Sequence, residues 1–491
     1  GDGIRDLIVT GVQTCALPIW LGFFSRATVE TKEVPGHDDL IDADFTVEEQ
    51  SSGSIGASVG YAQDAGIILG LNVQQDNFLG TGKRIGLGLN RSKYQDLYNF
   101  SYTNPYFTED GVSRGWNVYY RSTDLSEVNV ASYSTDTYGG NINFGYPIKE
   151  TQRLGFSFGV ASTEVTAGRY AVQEIKGSPR LADSVTDWYQ NTYDPLTDTY
   201  SAAEELIPID ELPAEYEIEP LELGFLDKNG NDFLNYTVTA SWSQSTLNRG
   251  RNATRGAAQT VSLQVAVPAS DLEFYKLTYN AEIYFPVPLL PPSWTLRLRS
   301  ELGYGDGWGN TNGLPFYENF FAGGFGSVRG YQSNTLGPRS TPAVPYAVGL
   351  AATAIDEDGK VTDYANKYSY IYLPSTGKLS VEAPYNNGDP FGGNVLVVGG
   401  AELIFPLPFI KDQNNLRTAF FLDAGNVFST ECGSTQLNCH NVDFSELRYS
   451  VGVGLTWITG FGPLTFSLAN PINAGDYDQE DSFHFTLGRG F

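Results

Sequence analysis

Two segments, Gly56-Ala57-Ser58-Val59-Gly60 and Gly155-Phe156-Ser157-Phe158-Gly159, have the G-x-S-x-G spacing that presents a serine for nucleophilic attack. That chemistry needs the serine on a strand-to-helix turn with an imidazole in reach. Both segments lie inside period-two runs with no helix after them, and only His37, His440 and His484 could act as bases. Serine catalysis is therefore not expected. Asp227-Lys228-Asn229-Gly230-Asn231-Asp232 begins like a calcium loop. However, Asp232 stands where that loop needs Gly, and Val238 where it needs Glu, so the segment reads as a hairpin loop. Asp356-Glu357-Asp358-Gly359 likewise reads as an acidic turn. With no phosphate cradle and no ligand cluster, no metal, no cofactor and no enzyme activity are expected. Cys432 and Cys439 bracket a polar loop between two strand-like runs. Zinc would want further ligands at short spacing, and only His440 is near, so the pair is expected to form a disulfide in an oxidising compartment. Cys15 has no partner in view.

The elements that position these residues are strands. The chain has 491 residues, with 57 Asp and Glu against 30 Lys and Arg, a formal charge of −27. Such a balance argues against nucleic acid, which is bound through basic surface. The 30 Tyr, 29 Phe and 54 Gly, with only 18% charged residues, suit many strands joined by turns. No stretch reaches the roughly 18 to 20 uninterrupted apolar residues of a membrane helix. A membrane form would therefore be a closed barrel, which satisfies its own backbone. The chain contains no Met, which reads as a piece of a longer product. Residues 1–19 fit nothing that follows and read as an artefactual or disordered segment.

After Ser51, short alternating runs continue to the C-terminus. Tyr275, Leu277, Tyr279, Ala281, Ile283 and Phe285 share one face; Lys276, Thr278, Asn280 and Glu282 share the other. The next run sets Trp294, Leu296, Leu298, Leu302 and Tyr304 against Thr295, Arg297, Arg299 and Glu301. A soluble sandwich also alternates. These runs, however, last about 9 to 13 residues, as tilted membrane strands do. Their apolar faces end in aromatics, and their polar faces carry full charges that a wet lumen tolerates and a sandwich core does not. About sixteen such runs lie between Ser54 and Phe491. Two connections are long: residues 166–232, whose Asp198 to Glu222 stretch has nine acidic residues and no Lys or Arg, and residues 307–393.

The second long connection contains Gly323-Gly324-Phe325-Gly326-Ser327-Val328-Arg329-Gly330-Tyr331-Gln332. This resembles the hallmark of the BamA family, the outer-membrane β-barrel assembly factors, in which a Val-Arg-Gly-aromatic tetrad sits on a loop folded into the barrel. Gln74 to Gly82, Thr103 to Thr108, Pro315 to Phe320 and the closing Phe485 to Phe491 are also similar to that family. The resemblance implies an all-β fold, a sixteen-stranded antiparallel transmembrane barrel over residues 51–491, preceded by the C-terminal part of an α+β POTRA domain at residues 20–50. It implies an outer-membrane location and a role in folding and inserting barrel proteins. The implied partners are unfolded barrel clients, outer-membrane lipoproteins, a periplasmic chaperone and the lipid bilayer. The tetrad is Val328, Arg329, Gly330 and Tyr331, and the implied acidic partners of Arg329 are Glu402 and Asp423. Strand parity agrees: both carboxylates are out of phase with their apolar neighbours.

A closed barrel must pair its first and last strands. The first run is rich in small residues, Gly56 and Gly60 among them, and the last places Gly488 and Gly490 opposite Phe485, Leu487 and Phe491. Glycine weakens a strand, so this seam is expected to open sideways and accept a client strand by β-augmentation. The aromatic terminus Phe491, with Phe485 and Leu487, is the address by which such barrels are themselves recognised. A transport pore of the same superfamily, of the two-partner-secretion type, is the alternative function. A passive porin is a third, opposed by a loop that plugs the lumen.

Overall fold

The computed structural model describes the chain from residue 24 to 488, except residues 34–40, 50–51 and 129, most of 169–223, residues 251, 289 and 292, residues 342–344, 356–360, 374–377 and 381–387, and residues 408–409, 411–414, 434–435 and 461. The acidic stretch 198–222 falls almost entirely outside the described residues, as do Cys15, Asp356 to Gly359, Gly490 and Phe491.

Two strands, β1 (Phe24–Glu33) and β2 (Ile41–Glu49), form an antiparallel hairpin. The barrel follows: β3 (Gly53–Ala62), β4 (Gly66–Gln75), β5 (Arg84–Arg91), β6 (Gln95–Asn104), β7 (Ser113–Asp124), β8 (Tyr133–Lys149), β9 (Gln152–Ala167) and β10 (Asp232–Ser245) make its first half. The second half is β11 (Gly256–Ala266), β12 (Phe274–Pro286), β13 (Thr295–Gly307), β14 (Val395–Phe405), β15 (Leu416–Phe428), β16 (Arg448–Thr459), β17 (Gly462–Pro471) and β18 (Phe483–Leu487). All sixteen pair antiparallel in chain order, and β18 returns to β3 to close the ring. Closure removes the free edges that an open sheet of this length would expose.

Period two places the side chains. On β13, Leu298 and Leu302 are 39% and 40% exposed on the outer face. On β15, Phe420 and Leu422 are 50% and 46% exposed while Asp423 between them and Ala424 is fully buried. A row of large apolar side chains facing outward suits hydrocarbon, not water. Cross-strand aromatic pairs sit at the ends of that band: Tyr275 with Tyr304 at 6.0 Å, and Trp294 with Phe405 at 5.4 Å. No described helix is long and apolar enough to cross a membrane.

The two longest connections leave from the same rim, after β9 and after β13. The second begins by turning into the barrel, where Phe316 to Glu318 form a turn of 3-10 helix. Phe316 joins a buried cluster with Tyr133, Ile175, Phe233 and Phe274. Deeper in, Val328, Leu336, Leu396, Val398 and Val427 form a second cluster. Residues 345–355, 361–373 and 378–380 add a small antiparallel sheet to the same connection.

One local expectation needs correction. The calcium-like segment is not a hairpin loop: Phe225–Asn229 is a short α-helix, and the Asp227 carboxylate accepts the Gly224 N–H at 3.1 Å as its N-terminal cap. Asp caps a helix as readily as it starts a cation loop, and the cap prevailed here. Both G-x-S-x-G segments do lie within strands, β3 and β9.

Candidate functional site

Arg329 sits where the inward loop meets the wall formed by β14 and β15. Its Nε and Nη2 donate to the two oxygens of Asp423 at 2.6 and 2.9 Å, and its Nη1 reaches Glu402 at 3.0 Å. A planar guanidinium can make this fork and this third contact together; an ammonium cannot. The guanidinium carbon also lies 3.5 Å from the centre of the Phe421 ring. Asp423 has no exposure, and Glu402 and Arg329 are each 7% exposed. Charges this buried are tolerated only when paired and hydrogen-bonded. The structure thus brings Arg329, Glu402 and Asp423 together.

The sequence reading missed the rest of the network. Arg299 on β13 donates to Asp423 at 3.0 Å and to the Gly326 carbonyl at 2.8 Å; it also bonds the Ser327 carbonyl. Arg297 and Arg417 both reach Glu402, at 3.2 and 2.8 Å, and Arg297 also pairs with Glu282 at 3.1 Å. The signal was available, because Arg297 and Arg299 occupy the polar phase of their run. Together four arginines meet three carboxylates, so the loop is gripped by a lattice with a net positive charge. Around it lies a cavity of about 810 Å³, lined by Arg297, Arg329, Arg417, Phe466 and Gly488 among others.

The other tetrad residues fix the loop in place. Val328 and Tyr331 have no exposure. Gly330 holds a φ of +95°, and a Cβ there would press on Ser450 and Ala469 at 3.2 and 3.3 Å, so both conformation and space call for glycine. Gly330 and Tyr331 pair antiparallel with Asp481 and Glu480, just ahead of β18.

At the seam the ladder nearly fails. β18 and β3 share two residue pairs, Thr486 with Ala62 and Leu487 with Tyr61, whereas β14 and β15 share eleven. The lower part of β3, from Gly53 to Gly60, faces β4 on one side and, among the described residues, has no ladder partner on the other. Gly60 and Gly488 are at the closure: a Cβ on Gly60 would come within 2.8 Å of the Leu487 carbonyl, and one on Gly488 within 2.8 Å of the Val59 carbonyl. Gly488, with a φ of +75°, turns the chain out of the strand. Gly56 pairs with Asn72 on β4 and, among the described residues, is not at the closure, because β18 as far as Leu487 meets only the far end of β3. Phe485 packs against Tyr61 and Phe466, at 6.1 and 5.0 Å, so its ring bridges the seam.

Cys432 and Cys439 are bonded. Their loop holds the base of the inward loop: Asn438 donates to the Gly337 carbonyl at 2.8 Å, and the Arg339 N–H to the Leu437 carbonyl at 3.0 Å. A crosslink across seven residues removes about 2 to 3 kcal/mol of loop entropy from the open state. Replacing both cysteines by serine is therefore expected to speed amide exchange at Arg339 about thirtyfold or more while barrel amides are unaffected. Equal exchange at Arg339 in both proteins would show that the clip is idle.

The fold and this site are those of a plugged outer-membrane barrel. A family model described as the Omp85 superfamily domain matches residues 77–491, and the chain belongs to that superfamily. It is 31% identical over 491 residues to the outer membrane protein assembly factor BamA of Neisseria meningitidis serogroup B, an alignment covering 96% of this chain and 51% of that protein. It is 27% identical over 143 residues to the assembly factor BamA of Buchnera aphidicola, covering 29% of this chain and 23% of that one. Among solved structures it is similar to BamA from Haemophilus ducreyi lacking POTRA domains 1–3, with a TM-score of 0.69, 26% identity and coverage of 97% of this chain and 77% of that one. The chain spans about half the length of the Neisseria relative. These relatives are named for assembly, not for a reaction they catalyse, and the chain is an outer-membrane barrel like theirs.

Proposed function

We propose that the chain is the barrel-bearing part of an outer-membrane protein assembly factor, which folds and inserts other β-barrel proteins without bond chemistry or a cofactor. The observation that carries this reading is the seam, where, among the described residues, the eight from Gly53 to Gly60 on β3 have no ladder partner on the β18 side. An unpaired edge of that length offers a client strand a ladder of N–H and C=O groups, and the client's own turn can then pair with the next strand. Because the edge abuts a strand end with a glycine at Gly488, exchange between client and β18 requires few bonds to break.

The partners implied are unfolded outer-membrane barrels, the lipoproteins of an assembly complex, a periplasmic chaperone and the bilayer itself. The hairpin of β1 and β2 supports reading residues 20–50 as the tail of a POTRA domain, through which clients would be received. Export of a passenger through the lumen is disfavoured by the buried grip on Arg329, which holds a plug in the way. Depleting the full-length protein and counting unassembled barrels tests the proposal. Broad loss of folded outer-membrane barrels supports it; loss of a single exported protein, with barrels assembled normally, points to the transport pore.

A further inference from the structure

His484 lies at the second position of β18, between Phe483, which faces outward, and Phe485. Parity turns its ring into the lumen, where it is 4% exposed. The Gly330 N–H donates to its Nε2 at 3.2 Å. A ring nitrogen that accepts from a backbone N–H carries no proton, so the ring proton sits on Nδ1, the nitrogen that faces Asp481 at 3.8 Å. Beside this contact Gly330 and Tyr331 pair with Asp481 and Glu480, and the Gln332 N–H donates to the Gln479 carbonyl at 2.8 Å. One residue further, Ser333 Oγ donates to Asp64 at 3.3 Å, on the turn that joins β3 to β4. Gln63 on the same turn donates to Asp481 at 2.9 Å.

The loop therefore touches three separate parts of the barrel within five residues. Arg329 is tied to β14 and β15, residues 330–332 to the approach and start of β18, and Ser333 to the β3 side of the seam. Among the described residues the seam ladder itself contributes two residue pairs. The loop adds a second, indirect link between the two sides: Gly330, Tyr331 and Gln332 hold the β18 side, and Ser333 holds the β3 side.

We infer that His484 is a positioning residue that couples the loop tetrad to the last strand, so that the inward loop braces the seam from inside and its release frees β18 to exchange with a client. This inference rests on the seam being the working edge, as proposed above, and concerns what holds that edge shut. Tilting or withdrawing the loop removes the acceptor–donor contact at His484 and the paired segment at 480–481 together. The glycine at 330 is required because any side chain would separate the loop from β16 and β17, where Ser450 and Ala469 lie.

The test measures the seam directly in the full-length protein. With Cys15 replaced by serine, spin labels at Val59 on β3 and Leu468 on β17 report the distance across the seam, since both side chains face outward. His484→Leu removes the acceptor and is expected to raise the open-seam population about fivefold, the effect of losing one buried hydrogen bond. His484→Gln, whose amide oxygen can accept the same N–H, is expected to restore the native distribution. A merely structural role for the ring would leave both variants equally open. Should His484→Leu fail to fold, Ser333→Ala cuts the other end of the brace and is expected to open the seam about twofold. An unchanged distance distribution in the folded variants overturns the brace, whatever client assembly does. A widened seam with client insertion undiminished leaves the brace standing and counts against the seam as the site of insertion.

Discussion

Locking the seam with a disulfide is expected to stop client insertion while leaving the barrel folded. Ala62 and Thr486 lie directly opposite in the antiparallel ladder, where side chains approach closely enough for a cystine. Ala62 is fully buried and the Thr486 hydroxyl has no hydrogen-bond partner, so Ala62→Cys with Thr486→Cys sacrifices little. In a Cys15→Ser background the oxidised protein should lose at least about tenfold of its insertion rate, the loss expected when an edge must separate and a covalent bond forbids it. Reduction should restore the rate. Because reduction also cuts Cys432–Cys439, the reduced parent is the proper reference. A second lock between Val397 and Asn426, in the eleven-pair ladder of β14 and β15, serves as the control and should have no effect. Full insertion through the locked seam would refute lateral opening and leave the luminal cavity as the remaining route.

Arg329→Lys is expected to loosen the inward loop and lower assembly activity. The fork to Asp423 needs two donors in one plane, and the contact with Glu402 needs a third. Lysine supplies the charge but keeps only one or two of these bonds, so about 1 to 3 kcal/mol is lost. Arg329→Ala is harsher. Removing one partner of a buried pair typically costs about 3 to 5 kcal/mol. Arg299 still reaches Asp423, and Arg297 and Arg417 still reach Glu402, so we place the loss nearer the lower end. Thermal unfolding in detergent and limited proteolysis of residues 308–341 measure it. The shared carboxylates add a further expectation: Glu402→Gln combined with Arg329→Ala should cost less than the sum of the single changes, because the two share a network. Unchanged stability and unchanged assembly in Arg329→Lys would mean that the arginine is an ordinary luminal charge.

Much of this arrangement is legible along the chain. Alternation separates Phe420 and Leu422, which face outward, from Asp423, which does not, and it sets Glu402 apart from Ala401 and Leu403. The same rule reaches Arg297, Arg299 and His484, which lie on the polar phase of their runs, although parity does not say what they touch. The polar spacing of Cys432 and Cys439 was enough to expect their bond. Asp227 shows the limit of local pattern, since a carboxylate at that spacing serves a helix cap as well as a cation loop.

The sequence by itself determined which side of each strand meets lipid and which meets the lumen, because a side chain's face depends only on its place in a two-residue period. Three things were decided only by the closed barrel. Four arginines from the loop, β13 and β15 converge on Glu402 and Asp423, since ring curvature brings their inner faces together. Among the described residues the last strand meets β3 at Tyr61 and Ala62 and not at Gly56, since register at closure is set by the whole ring. His484 finds Gly330 because a loop that begins after β13 crosses the lumen to reach the last strand. Each of these is a relation between distant segments, and no spacing within one strand encodes it.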